Sequence, residues 1–124
     1  MPNTVAEYYT DELIGWQDSI DFYNDEMSDL EEKLSDVISR NSIVGIAEKV
    51  ENQQRKLNTV SAAFYRLREK LEQQEARLKT DHTFIDNTLV DTSIEKQQME
   101  LRQTMHQAEK DYIDTKYDCY QFLS

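Results

Sequence analysis

The chain has little that interrupts regular structure and little that does chemistry. Two glycines, Gly15 and Gly45, and a single proline, Pro2, are spread over 124 residues. A phosphate-cradling glycine loop or a nucleophile elbow needs clustered glycines, so both are excluded. Cys119 is the only cysteine, which excludes an internal disulfide and a cysteine zinc site. No apolar run approaches membrane-spanning length, and the start of the chain lacks the basic and apolar stretches of a secretory signal. The expectation is a non-membrane, cytoplasmic protein.

What is present is charge and period. Charged residues make up 31% of the chain and apolar ones 38%, a balance suited to long helices that share one narrow seam. The formal charge is -11. Residues 1–40 hold eleven acids against Lys33 and Arg40. Residues 41–80 are net basic, and residues 81–124 are acidic again. A basic segment between two acidic ones predicts attraction among the chain's own helices. It disfavours nucleic acid and anionic membranes as partners, since each requires a net basic face.

The longest pattern is Ile43, Ile46, Val50, Gln53, Leu57, Val60, Phe64, Leu67, Leu71, Gln74 and Leu78, stepping by three and four without a slip. A 3.5-residue repeat of this length turns one face of a helix toward partner helices. An earlier seam runs Tyr9, Leu13, Trp16, Ile20, Tyr23, Met27, Leu30, Leu34 and Val37, opposite the acids Asp11, Asp18, Asp25 and Glu32. Thr4 with Glu7 predicts a capping box at its start, and Thr92 with Glu95 predicts another at the start of a third helix. Asn41 or Ser42 can cap the second helix, with Gly45 in its first turn.

The short polar break at residues 40–42 makes helices one and two an antiparallel hairpin. Folding about it places Trp16 beside Leu67, Tyr23 beside Val60, Leu30 beside Gln53 and Tyr9 beside Gln74. Residues 81–91 read as a loop over the bundle end, with an extension of helix two to about Asn87 as the alternative. Too short to return along the bundle, this loop leaves helix three parallel to helix one. The expected fold is therefore all-α, one domain over residues 1–124. It is an up-down-up antiparallel three-helix bundle of heptad-patterned helices, about 4–40, 43–80 and 93–123, with coiled-coil-like packing. The layout, with Trp16 mid-way along helix one, resembles that of spectrin-type repeats in architecture but shares no motif with them.

Two features exceed one core. Helix three carries two apolar stripes. One is Ile94, Gln98, Leu101, Met105, Ala108, Tyr112, Thr115, Cys119 and Phe122. The other is Met99, His106, Ile113, Tyr117 and Tyr120, and the sequence does not say which faces inward. On helix one, Tyr8, Gly15 and Phe22 recur every seven residues beside the main seam. Glycine inside a helix costs about 1 kcal/mol relative to alanine, so Gly15 implies another backbone or ring packed against it. Gln53, Gln74 and Gln98 stand at seam positions where leucine would stabilise more. Either they share a polar layer that fixes register, or they sit at wide, wet ends of the bundle.

Catalytic and metal signals are weak. His82 reads as a loop or helix-end residue and His106 as half-buried on the second stripe. Neither is preceded by glutamate at the spacing of di-iron bundles, although His106 with Glu109 gives the reversed order once. Asp21, Asp25, Glu26, Asp29, Glu31 and Glu32 would be spread around a helix rather than gathered as in a calcium loop. Cys119 falls on the inner stripe beside Asp118, where a small apolar role outweighs a reactive one. The expectation is a non-enzymatic structural or interaction protein without cofactor or small-molecule substrate. It would self-associate as a dimer, or bind another helical protein, through the outer stripes. An acidic adaptor or antagonist that binds a basic partner is the alternative, and a metal-binding bundle the remote one.

Overall fold

The computed structural model describes residues 3–124. It is an all-α bundle of three helices, α1 (Val5–Arg40), α2 (Ile46–Arg77) and α3 (Thr92–Leu123). Two-residue strands β1 (Lys79–Thr80) and β2 (Thr83–Phe84) form a small antiparallel hairpin between α2 and α3. The largest helix has 36 residues, roughly 54 Å at 1.5 Å per residue.

Hydrogen bonds fix the directions. Between α1 and α3 the bonded partners are 86 to 90 positions apart at every level from Tyr9–Gln98 to Glu26–Lys116. That constant offset means the two helices run parallel. Between α2 and α3 the pairs converge in sequence, from Lys56–Asp118 to Arg77–Ser93, so these helices are antiparallel.

Thr4 caps α1 by accepting from the Glu7 amide, one half of the expected capping box, while Glu7 Oε2 accepts from the Asn3 amide rather than from that of Thr4. The break between α1 and α2 differs from expectation. Asn41 closes α1 as its C-cap, and α2 begins only at Ile46 behind Gly45, whose φ of 83° lies in the left-handed region. Asn41 and Ser42 therefore do not cap α2, and Ile43 is exposed rather than on the seam. The longer connection slides the hairpin by about a turn. Tyr23 stacks on Phe64, four residues beyond the Val60 expected, with ring centroids 5.6 Å apart.

The third helix also starts differently. Asp91, not Thr92, is its N-cap and accepts from the Ile94 amide at 2.9 Å. Residues 78–91 fold over the bundle end as a loop rather than a helix extension. Leu78, Ile85 and Val90 are buried there, the Ile85 amide donates to the Leu78 carbonyl, and Asn87 Oδ1 accepts from the Val5 amide at 2.9 Å. Asp81 and His82 turn the hairpin with φ of 51° and 64°. Positive φ at both central residues is the signature of a type I′ turn.

Burial follows the seams. The inner stripe of α3 faces the core: Ile94, Gln98, Leu101, Met105, Ala108, Tyr112 and Cys119 are all buried. Phe64 and Leu67 are buried on α2, while Trp16 is half-buried at the core's edge. The middle of the bundle is filled by Tyr23, Phe64 and Tyr112, with centroids 4.6 to 6.1 Å apart.

Candidate interaction surface between helices one and three

Helix α2 joins the others mainly through apolar seams edged by a few ion pairs, whereas beyond the Tyr23–Tyr112 contact α1 and α3 are linked along their outer side by a polar row. Glu12 takes a bidentate pair from Arg102, with both bonds 2.7 Å long. One level on, the Tyr23 hydroxyl donates to Glu109 at 2.6 Å. Glu26 then accepts from the Tyr112 hydroxyl and from Lys116, the latter at 2.9 Å. The α3 members Arg102, Glu109 and Lys116 are seven residues apart, so they line one edge of that helix.

The row is half desolvated, and its protonation reflects that. Burial alone would push the Glu12 carboxyl up, but hydrogen bonds from Arg102 and Gln98 outweigh it and hold it below the usual range. The hydrogen bond from Tyr112, helped by Lys116, holds Glu26 low against its burial. Burial and the Glu109 carboxylate raise Tyr23 to about 12, and burial with Glu26 raises Tyr112 further. At neutral pH Tyr23 and Tyr112 are donors and Glu12 and Glu26 acceptors, a settled network rather than an acid–base pair.

The outer stripes border this row on both sides. On α1, Tyr8 and Phe22 precede Glu12 and Glu26 by four residues and are 57% and 59% exposed. On α3, Met99, His106 and Ile113 precede Arg102, Glu109 and Lys116 by three, and all three are exposed. Tyr120 continues this stripe and Tyr117 lies on its outer edge, both exposed, and Lys116 lies 5.8 Å from the Tyr120 ring centre. The structure thus brings Tyr8, Gly15, Phe22, Met99, His106, Ile113, Tyr117 and Tyr120 onto one face. His106 is more exposed than the sequence suggested. Gly15 differs in another way, because a Cβ built there would meet nothing within 4 Å. No neighbour among the described residues accounts for it.

The glutamines divide. Gln74 and Gln98 are fully buried and bonded to each other, Gln74 Nε2 donating to Gln98 Oε1 at 3.2 Å and to the Ile94 carbonyl at 3.0 Å. Gln98 Nε2 donates in turn to the Tyr9 carbonyl and to Glu12, which ties this layer to the polar row. Gln53 lies toward the opposite end. Its amide donates to Asp118 at 3.3 Å, and its buried Oε1 has no partner among the described residues.

Among the described residues no three His, Cys, Asp or Glu side chains gather to hold a metal. The His106–Glu109 pair is broken up, since Glu109 is engaged by Tyr23. Cys119 is fully buried, and burial with the neighbouring Asp118 carboxylate pushes its thiol up, away from reactivity. His82 is exposed in the hairpin turn. Between α2 and α3 the small side chains Ala63 and Ala108 help line an open depression of about 340 Å³. No helix is long and apolar enough to cross a membrane among the described residues.

No protein-family model matches the chain, and neither a curated protein nor a solved structure is significantly similar to it.

Proposed function

We propose that this is a non-enzymatic interaction bundle that self-associates through the face formed by α1 and α3. One observation carries the reading. Two exposed apolar stripes on different helices lie side by side along the same groove, which no fourth helix fills among the described residues. Aromatic and methionine side chains on such a face are what protein interfaces are enriched in. A cytoplasmic setting belongs to the same reading, since the single thiol is buried and unpaired.

The test is sedimentation of the purified protein beside two variants, Phe22→Asp and Tyr117→Asp. Both positions are exposed, so helicity by circular dichroism should be unchanged. The expected result is a lighter species for each variant at the same concentration. Identical profiles for all three would remove the proposed face. Association that needs neither residue but collapses between low and high salt would point to electrostatics, the mark of an acidic surface that binds a basic partner.

A further inference from the structure

We infer that the occupant of the α1–α3 face is a second copy of the chain, docked by a two-fold axis parallel to the helices, so that α1 lies on the partner's α3. This rests on the self-association reading and specifies its geometry.

The argument is one of charge along the two outer borders of the face. On α1 the apolar stripe is bounded on its outer side by residues three positions further on, Asp11, Asp18 and Asp25. On α3 the outer border lies three positions before Met99, His106, Ile113 and Tyr120 and reads Lys96, Gln103, Lys110 and Tyr117. Both borders step by seven, one wholly acidic and the other basic or neutral. Their levels also agree. Asp11 with Lys96, and Asp25 with Lys110, are separated in sequence by slightly less than the 86 to 90 positions that mark equal height on α1 and α3. Within one chain these borders lie on opposite flanks of the face and cannot meet.

Two ways of closing the face with a two-fold axis exist, and charge decides between them. An axis across the helices would lay α1 on α1 and α3 on α3, each antiparallel, with aspartate against aspartate and lysine against lysine. An axis along the helices lays each α1 on the partner's α3 in parallel. It brings Asp11 to the partner's Lys96, Asp18 to the partner's Gln103 and Asp25 to the partner's Lys110. Like charges across an interface are costly and opposite ones set register, as at the flanking positions of coiled coils. The parallel arrangement uses an existing feature of the fold, since α1 and α3 already point the same way. It also puts Gly15 near the partner's His106, where a missing side chain gives the imidazole room. Among the described residues none of the four charged side chains has a strong partner: Lys96 alone has an ion pair, to Glu100 at 4.0 Å with both side chains mostly exposed.

The experiment joins zero-length carbodiimide cross-linking of the native protein with charge reversal. Amide cross-links Asp11–Lys96 or Asp25–Lys110, found only in the dimer band, are the expected products. Lys96→Glu with Lys110→Glu should raise the dimer Kd about tenfold or more at low salt. Adding Asp11→Lys and Asp25→Lys should return it to within about threefold of the native value, while circular dichroism stays constant throughout. Lys110→Glu alone breaks no ion pair among the described residues and should weaken the dimer in the same direction. A dimer that requires Phe22 but is unaffected or tightened by the lysine reversals, without those cross-links, overturns the parallel geometry and leaves the self-association reading standing. A chain that stays monomeric overturns both.

Discussion

The seams on either side of α2 and the groove between α1 and α3 are built from opposite materials. Around α2, side chains such as Leu57, Phe64, Leu71 and Leu101 are shut away from solvent. The α1–α3 groove instead holds Glu12, Arg102, Glu109, Glu26 and Lys116, flanked by exposed aromatics. Dry seams supply free energy in proportion to the apolar area they bury. A polar row supplies little net stability, because its charges lose hydration as they pair, but it fixes height and direction. The difference teaches that α2 supports the fold, while the α1–α3 side sets an alignment and presents a surface.

The largest effect should come from the dry side. Phe64→Ala removes the ring that joins Tyr23 and Tyr112, and a loss of about 3–5 kcal/mol is expected in denaturant unfolding, as for other large aromatic truncations. Next is the buried amide pair at the junction of the two materials. Gln74→Leu leaves the Gln98 Oε1 without its donor and should cost about 1–3 kcal/mol. The double change with Gln98→Leu should cost much less than the two singles added, a coupling that a double-mutant cycle measures. Additive losses would mean the pair does not act as one layer.

The polar row should show itself through pH. Glu12 and Glu26 titrate below the ordinary carboxylate value in the folded chain, so their contribution is present above it. It is lost as pH falls through the lowered value, below about pH 4.5. Tyr23 is raised to about 12, so its contribution is full below its ordinary value of 10 and declines as pH rises from there toward 12. Tyr23→Phe should therefore flatten the alkaline flank of the stability profile, and an unchanged flank would show that Tyr23 is not held neutral by folding. The smallest effect belongs to the outer face. Gly15→Ala meets no atom within 4 Å and should stabilise the monomer by about 1 kcal/mol. The same change should weaken association if the partner's His106 needs that space.

Much of this was legible from period alone. The heptad steps located three helices and the main seams, because a narrow apolar stripe can be buried in few ways. Reversal of charge from segment to segment suggested which helices attract, and Arg68–Asp21 and Lys56–Asp118 join basic α2 to its acidic neighbours. Spacing could not reveal the hairpin at Lys79–Phe84. Its turn is made by Asp81 and His82 rather than the Asn-Gly or Asp-Gly pairs that advertise positive φ. The slide of the α1–α2 hairpin depends on where α2 starts, and Ile43 fits the heptad whether or not it is helical. Tyr23 and Tyr112 sit at seam positions, yet their hydroxyls reach outward to Glu109 and Glu26. Only a known α1–α3 register puts those carboxylates within reach.

The most direct measurement is the light-scattering mass of the native protein at tens of micromolar. The expected value is twice the chain mass of 14.7 kDa, falling toward one chain on dilution. A mass of 14.7 kDa at every concentration would contradict the claim that the α1–α3 face is covered by a second copy.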